Sequence, residues 1–112
     1  MTINEAFRAA VEPVVAVCVP DAYDGEAEEY CTFNYTEVPE DFGDDVPDVI
    51  RYAVQLHYIC PVGRNSIATR RRLRQAILAA DFTAPTVENA SDADGQHYVF
   101  EFDALGGADG EV

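Results

Sequence analysis

The fold turns on residues 49–82, VIRYAVQLHYICPVGRNSIATRRRLRQAILAADF. From Ile50 onward an apolar or aromatic side chain recurs at every second position: Ile50, Tyr52, Val54, Leu56, Tyr58 and Cys60. Arg51, Ala53, Gln55, His57 and Ile59 alternate with them. A period of two places the first set on one face of a sheet and the second on the other. Pro61 has no N–H to donate and ends the ladder. Gly63 permits a sharp corner. Asn65 or Ser66 then stands where a side chain can cap the free N–H groups of a following helix.

At about 100° per residue, Thr69, Leu73, Ala76, Ile77 and Ala80 form one stripe of that helix, predicted to lie on the sheet. Ile67, Arg71, Arg74 and Leu78 fall roughly opposite, with Arg72 on a flank. Two readings of this basic back are open. It is a solvated face with two ordinary exposed aliphatics, or it is a subunit interface built from Ile67, Arg70, Arg71, Arg74 and Leu78.

Upstream, Thr2 and Glu5 have the spacing of a capping box. A short helix is predicted over residues 2–11, with Ile3, Phe7 and Ala10 or Val11 inward and Pro13 closing it. Val14 to Val19 is β-branched and apolar and predicts a strand ended by Pro20. Residues 21–29, DAYDGEAEE, form an acidic loop with an Asp-Gly turn. Tyr30 to Glu37 alternates as a short strand. Residues 38–48, VPEDFGDDVPD, hold two Pro, one Gly and five acids, which excludes regular structure there. Within it Asp41, Phe42, Asp44 and Asp45 are candidates for a surface facing a neighbour or the lumen of a ring.

Downstream, Asp81 stands where a helix-ending Gly is expected, and Asp tolerates the left-handed conformation better than most residues. Phe82 returns to the core. Residues 83–90 predict a weak edge strand because of Pro85. His97 to Asp103 predicts the last strand, with Tyr98, Phe100 and Phe102 inward. Residues 106–112 read as a flexible acidic tail after a domain spanning 1–105. The order helix, strand, strand, strand, helix, strand, strand is that of an α+β fold: an antiparallel sheet of four to five strands with both helices packed on it.

With 112 residues, one domain is expected. The formal net charge of −14 argues against binding a phosphate backbone or an anionic membrane surface. All seven basic residues are Arg, the cation suited to bidentate pairing at interfaces. The start of the chain lacks the basic and apolar regions of a signal peptide, and no apolar run is long enough to span a bilayer.

Cys18, Cys31 and Cys60 are odd in number and lack metal-ligand spacing. They read as buried small hydrophobes in a reducing compartment. His57 and His97, both on strands, would share one outer sheet face. With Glu101 or Gln55 they could approach a metal site, but the spacing carries no signature and two solvated histidines are expected. Asp92 and Asp94 before Gly95 lack the ligand pattern of a calcium loop. Nothing in the residues points to an enzyme, a cofactor or a metal.

Four stretches carry a family resemblance. They are Glu29–Tyr35 after an acidic loop, Val54–Tyr58 followed by Pro61-Val62-Gly63, Leu73–Phe82, and His97–Phe102. Together they resemble the tail-terminator, or tail-completion, proteins of long-tailed bacteriophages and prophages, over about residues 3–103. Asp81 replaces that family's usual Gly, and the lack of Lys is unusual for it. The resemblance implies a ring, usually hexameric, that caps the tail tube and meets the head connector. It implies assembly in the host bacterial cytoplasm, a final place in the virion tail, and neither cofactor nor catalysis. The other reading from composition is a cytoplasmic acidic protein-binding module.

Overall fold

The computed structural model describes residues 1–40 and 49–112. The candidates Asp41, Phe42, Asp44 and Asp45 lie outside the described residues. The elements are α1 (Ile3–Val11), β1 (Cys18–Pro20), β2 (Tyr30–Glu40), β3 (Val49–Cys60), α2 (Ile67–Ala79), β4 (Thr86–Asn89) and β5 (Gln96–Gly107). The five strands form one sheet in the order β1-β2-β3-β5-β4. This is the expected α+β order, with β3 at the centre of the sheet.

Alternation in β3 assigns its faces as predicted. Tyr52, Val54, Leu56, Tyr58 and Cys60 are buried, and Leu73 and Ile77 of α2 join the same cluster. α1 contributes Ile3, Phe7 and Val11. The Phe7 ring meets Phe33 and Phe82 edge-on at 5.3 Å each, and Phe102 at 6.0 Å. Both helices therefore lie on one face of the sheet. The other face carries Asn34, Gln55, His57 and Glu101 and has no helix over it among the described residues, as antiparallel sheets allow.

The ends of both helices follow their local chemistry. Thr2 Oγ1 accepts from the Glu5 N–H at 3.2 Å, and the Thr2 N–H donates to Glu5 Oε1 at 3.1 Å. This is the capping box, which satisfies two free N–H groups reciprocally. At α2 the Ile67 N–H donates to Asn65 Oδ1 at 3.2 Å, so Asn65 supplies the side-chain bond. The Ser66 hydroxyl donates to Gln96 Oε1 instead. The helix ends with Asp81 at φ 65°. The Phe82 N–H bonds to the Ile77 carbonyl and the Asp81 N–H to that of Leu78, a Schellman motif.

Three boundaries and one strand direction differ from the sequence expectation. The strand expected over 14–19 is only Cys18–Pro20, because the Val14 and Val15 N–H groups bond back to the Val11 carbonyl. β1 also runs parallel to β2, whereas every other pair is antiparallel. A three-residue strand is roughly 10 Å long, so loop 21–29 can return the chain to its start without a helix. Residues 38–40 continue β2, opposite Arg51, Ile50 and Val49. Beyond Phe33, β2 is an edge strand among the described residues, where Pro39 is tolerated.

The last difference concerns the acidic tail. β5 continues to Gly107, the Ile3 N–H bonds to the Gly110 carbonyl, and the Val112 N–H to that of Met1. The N-terminal ammonium lies 2.9 Å from Glu111 Oε2. A Cβ on Gly106 would fall 2.9 Å from Val112 Cγ1 and 3.0 Å from Tyr52 Cε2. Glycine here allows the C-terminal residues to fold back closely on β5 beside Tyr52, rather than giving looseness.

Candidate functional site

The outward stripe of α2 is built by its own periodicity. Ile67, Arg71, Arg74 and Leu78 stand at i, i+4, i+7 and i+11, so they line one side of the helix. Arg71 and Arg74 are exposed, Ile67 is 57% exposed and Leu78 39%. None of the ion pairs among the described residues uses Arg71 or Arg74. Arg70, expected in the same patch, departs from it. It lies beside Ile77 on the helix flank, and its guanidinium sits 4.2 Å over the Tyr98 ring. Its Nε donates to Ser66 Oγ at 3.2 Å. A cation over an aromatic face and a hydroxyl partner hold it against the sheet. Arg72 donates to the Pro13 carbonyl at 3.3 Å and ties α2 to the end of α1.

The acidic loop 21–29 exposes Asp21, Asp24, Glu26 and Glu28. Its course is set by Tyr23, which stacks near Tyr30 at 4.6 Å and accepts the Ala27 N–H at 2.9 Å. A Cβ at Gly25 would collide with the Tyr23 ring, which explains the Gly of that turn. Glu29 turns inward: the Tyr58 hydroxyl donates to its Oε2 at 2.6 Å, and Arg64 Nη1 lies 3.4 Å from the same oxygen. Burial, then the bond to Glu29, pushes the Tyr58 phenol well above its ordinary range. This link joins the acidic loop, the central strand and the corner before α2. Sequence reasoning missed it because Glu29 lies 29 residues before Tyr58 in the chain.

Small residues leave a cleft beside the helix pair. Ala6, Ala9 and Ala10 of α1 and Ala76, Ala79 and Ala80 of the α2 end line a space of about 950 Å³. Ala76 and Ala80, expected on the sheet stripe, thus edge this cleft and are only half-buried. At its end Arg51 bonds Glu40 Oε1 at 2.9 Å and lies 3.6 Å from Asp103 Oδ2.

The groups capable of chemistry are few. All three cysteines are buried thiols. Burial pushes Cys18 up to about 12 and raises Cys31 as well, so neither is a nucleophile near neutral pH. Burial and the neighbouring His97 hold His57 below its ordinary value. Among the described residues no group of three or more His, Cys, Asp or Glu is placed to hold a metal. Nor is any described helix long and apolar enough to cross a membrane. The arrangement is suited to protein contact: one basic helix face with aliphatic ends, and an ordered acidic loop. No family model matches the chain, and no curated protein matches it.

Proposed function

We propose that this chain is a tail-terminator protein of a long-tailed bacteriophage or prophage: a non-catalytic virion subunit that closes the tail tube as a ring of copies and meets the head connector. The observation that carries the reading is the exposed stripe Ile67–Arg71–Arg74–Leu78 on a chain of net charge −14. Rings with cyclic symmetry need two complementary patches on each subunit. The helix face supplies the basic patch, and the acidic surface that includes loop 21–29 supplies its complement. Ile67 and Leu78 give the contact an apolar part, and Arg–carboxylate pairs give it register. Arg71 and Arg74 keep this face basic, while Arg64, Arg70 and Arg72 of the same stretch are engaged by Glu29, Tyr98 and the Pro13 carbonyl. The resemblance in the sequence supplies the identity of the tube and connector as partners.

Tails assembled in cells lacking this chain, mixed with the purified protein, test the reading. The protein is expected at one end of each tube in electron micrographs, and head joining is expected to be restored. Arg71→Glu combined with Leu78→Asp should melt like the parent, form no rings and leave tails unfinished. Protein that associates with no tail component overturns the proposal and leaves the acidic binding module. A double variant that terminates tails like the parent overturns this interface alone.

A further inference from the structure

The two histidines of the chain meet on the open face of the sheet. His57 pairs with Val99 across β3 and β5, and Ile59 pairs with His97, so the histidines are diagonal neighbours on outward positions. Long or ring-bearing side chains reach each other across such a diagonal. His57 Nδ1 lies 2.8 Å from His97 Nε2, with ring centroids 5.0 Å apart. Two facing lone pairs would repel at that distance, and two N–H groups would clash, so the two nitrogens share one proton. Both rings are half-buried. They edge a cleft of about 390 Å³ whose other walls include Asp21, Tyr23, Thr32 and Asn34.

We propose that His57 Nδ1 and His97 Nε2 form a two-histidine site for a divalent transition ion of the zinc, nickel or copper class, with solvent filling the remaining positions. Imidazole nitrogen suits these ions, whereas hard cations prefer oxygen. Metal–nitrogen bonds of about 2.0–2.1 Å set the two ligand atoms roughly 3 Å apart. The pair needs only a few tenths of an ångström of opening, roughly the reach of a small rotation about χ2. The ion replaces the shared proton, which moves to His57 Nε2 as that ring changes tautomer. No net proton is lost. Asn34 stands ready for the change: its Nδ2 lies 3.4 Å from His57 Nε2. Turning the amide over presents Oδ1 to the new N–H, the outer partner that a metal-bound histidine commonly has. The chain's negative field raises the local concentration of cations. Gln55 and Glu101 pair with each other one step along the same strands and line a separate cleft, so the site is defined by the two rings.

Calorimetric titration of the purified chain with zinc chloride at neutral pH, in a buffer free of chelators, tests this. One equivalent should bind and raise the melting temperature. His57→Gln and His97→Gln should each lose that uptake, while Glu101→Gln on the same face keeps it. Copper(II) added to the parent gives a second readout that needs no variant: its electron spin resonance spectrum should show coupling to two nitrogens. Failure of the parent to bind zinc at millimolar concentration overturns the site. So does equal uptake by the parent and both glutamine variants, or a copper spectrum with oxygen ligands alone.

Discussion

Asp81 holds a backbone conformation that suits glycine, with φ at 65°, one residue past the Ala80 cap of α2. Its Cβ is strained there, and its negative charge stands next to the negative end of the helix dipole. Asp81→Gly should therefore stabilise the fold by about 1 kcal/mol in urea unfolding, and a loss of stability would show that the Asp side chain has a compensating partner. Glu5 differs in sign. Its bonds to the backbone and side chain of Thr2 hold its carboxyl below the ordinary value of 4.5. A lowered folded pKa means the unfolded chain binds the proton more readily. The stabilisation is thus present above pH 4.5 and is lost as pH falls through the folded value. Compared with Glu5→Gln, the parent should be more stable at pH 7, and the gap should close in acid below pH 4.5. A gap that is constant with pH would locate the effect outside the capping box.

Among the elements, β3 at the centre of the sheet depends on burial. Leu56 is 1% exposed and sits within the cluster that also includes Phe33, Phe100, Leu73 and Ile77. Leu56→Ala removes apolar contact and leaves a cavity between sheet and helices, at a cost of about 2–5 kcal/mol. Chemical denaturation measures it, and a cost below about 1 kcal/mol would mean that the core refills the space. α2 serves two purposes with one period. Leu73 and Ile77 anchor it to the sheet, and the stripe from Ile67 to Leu78 looks outward. The Arg71→Glu and Leu78→Asp changes can therefore alter contact between copies without touching the core.

For the whole molecule, the proposed ring has to assemble against a net charge of −14 per copy. Repulsion between distant carboxylates is screened beyond about 8 Å at physiological ionic strength. Arg–carboxylate pairs in contact are screened less, and the apolar part of the patch is not screened at all. Ring formation should consequently be no weaker at about 0.15 M salt than at about 0.01 M, read by mass photometry. A steady decline from the lowest salt upward would mean that long-range attraction, and not close contact, holds the copies together. The same charge disfavours a role on a nucleic-acid backbone, which agrees with the open sheet face carrying Glu101 and Asp103 beside Arg51.

Local pattern alone determined the buried face of β3 and the ends of α1 and α2. Alternation through Ile50 to Cys60 assigned the buried face of β3, Thr2 and Glu5 marked the start of α1, and Asp81 marked the end of α2. Each of these depends on a few neighbouring residues, so periodicity and capping chemistry suffice. The outward stripe of α2 was legible for the same reason. Only the tertiary structure decided what comes from pairing distant segments. It set β1 parallel to β2, drew Arg70 over Tyr98, joined the two chain ends through Glu111, and brought His57 within 2.8 Å of His97. Strand order and register are properties of the whole sheet, since a shift by one residue turns every side chain to the other face. Forty residues of chain separate the two histidines, and the β3–β5 register makes them neighbours.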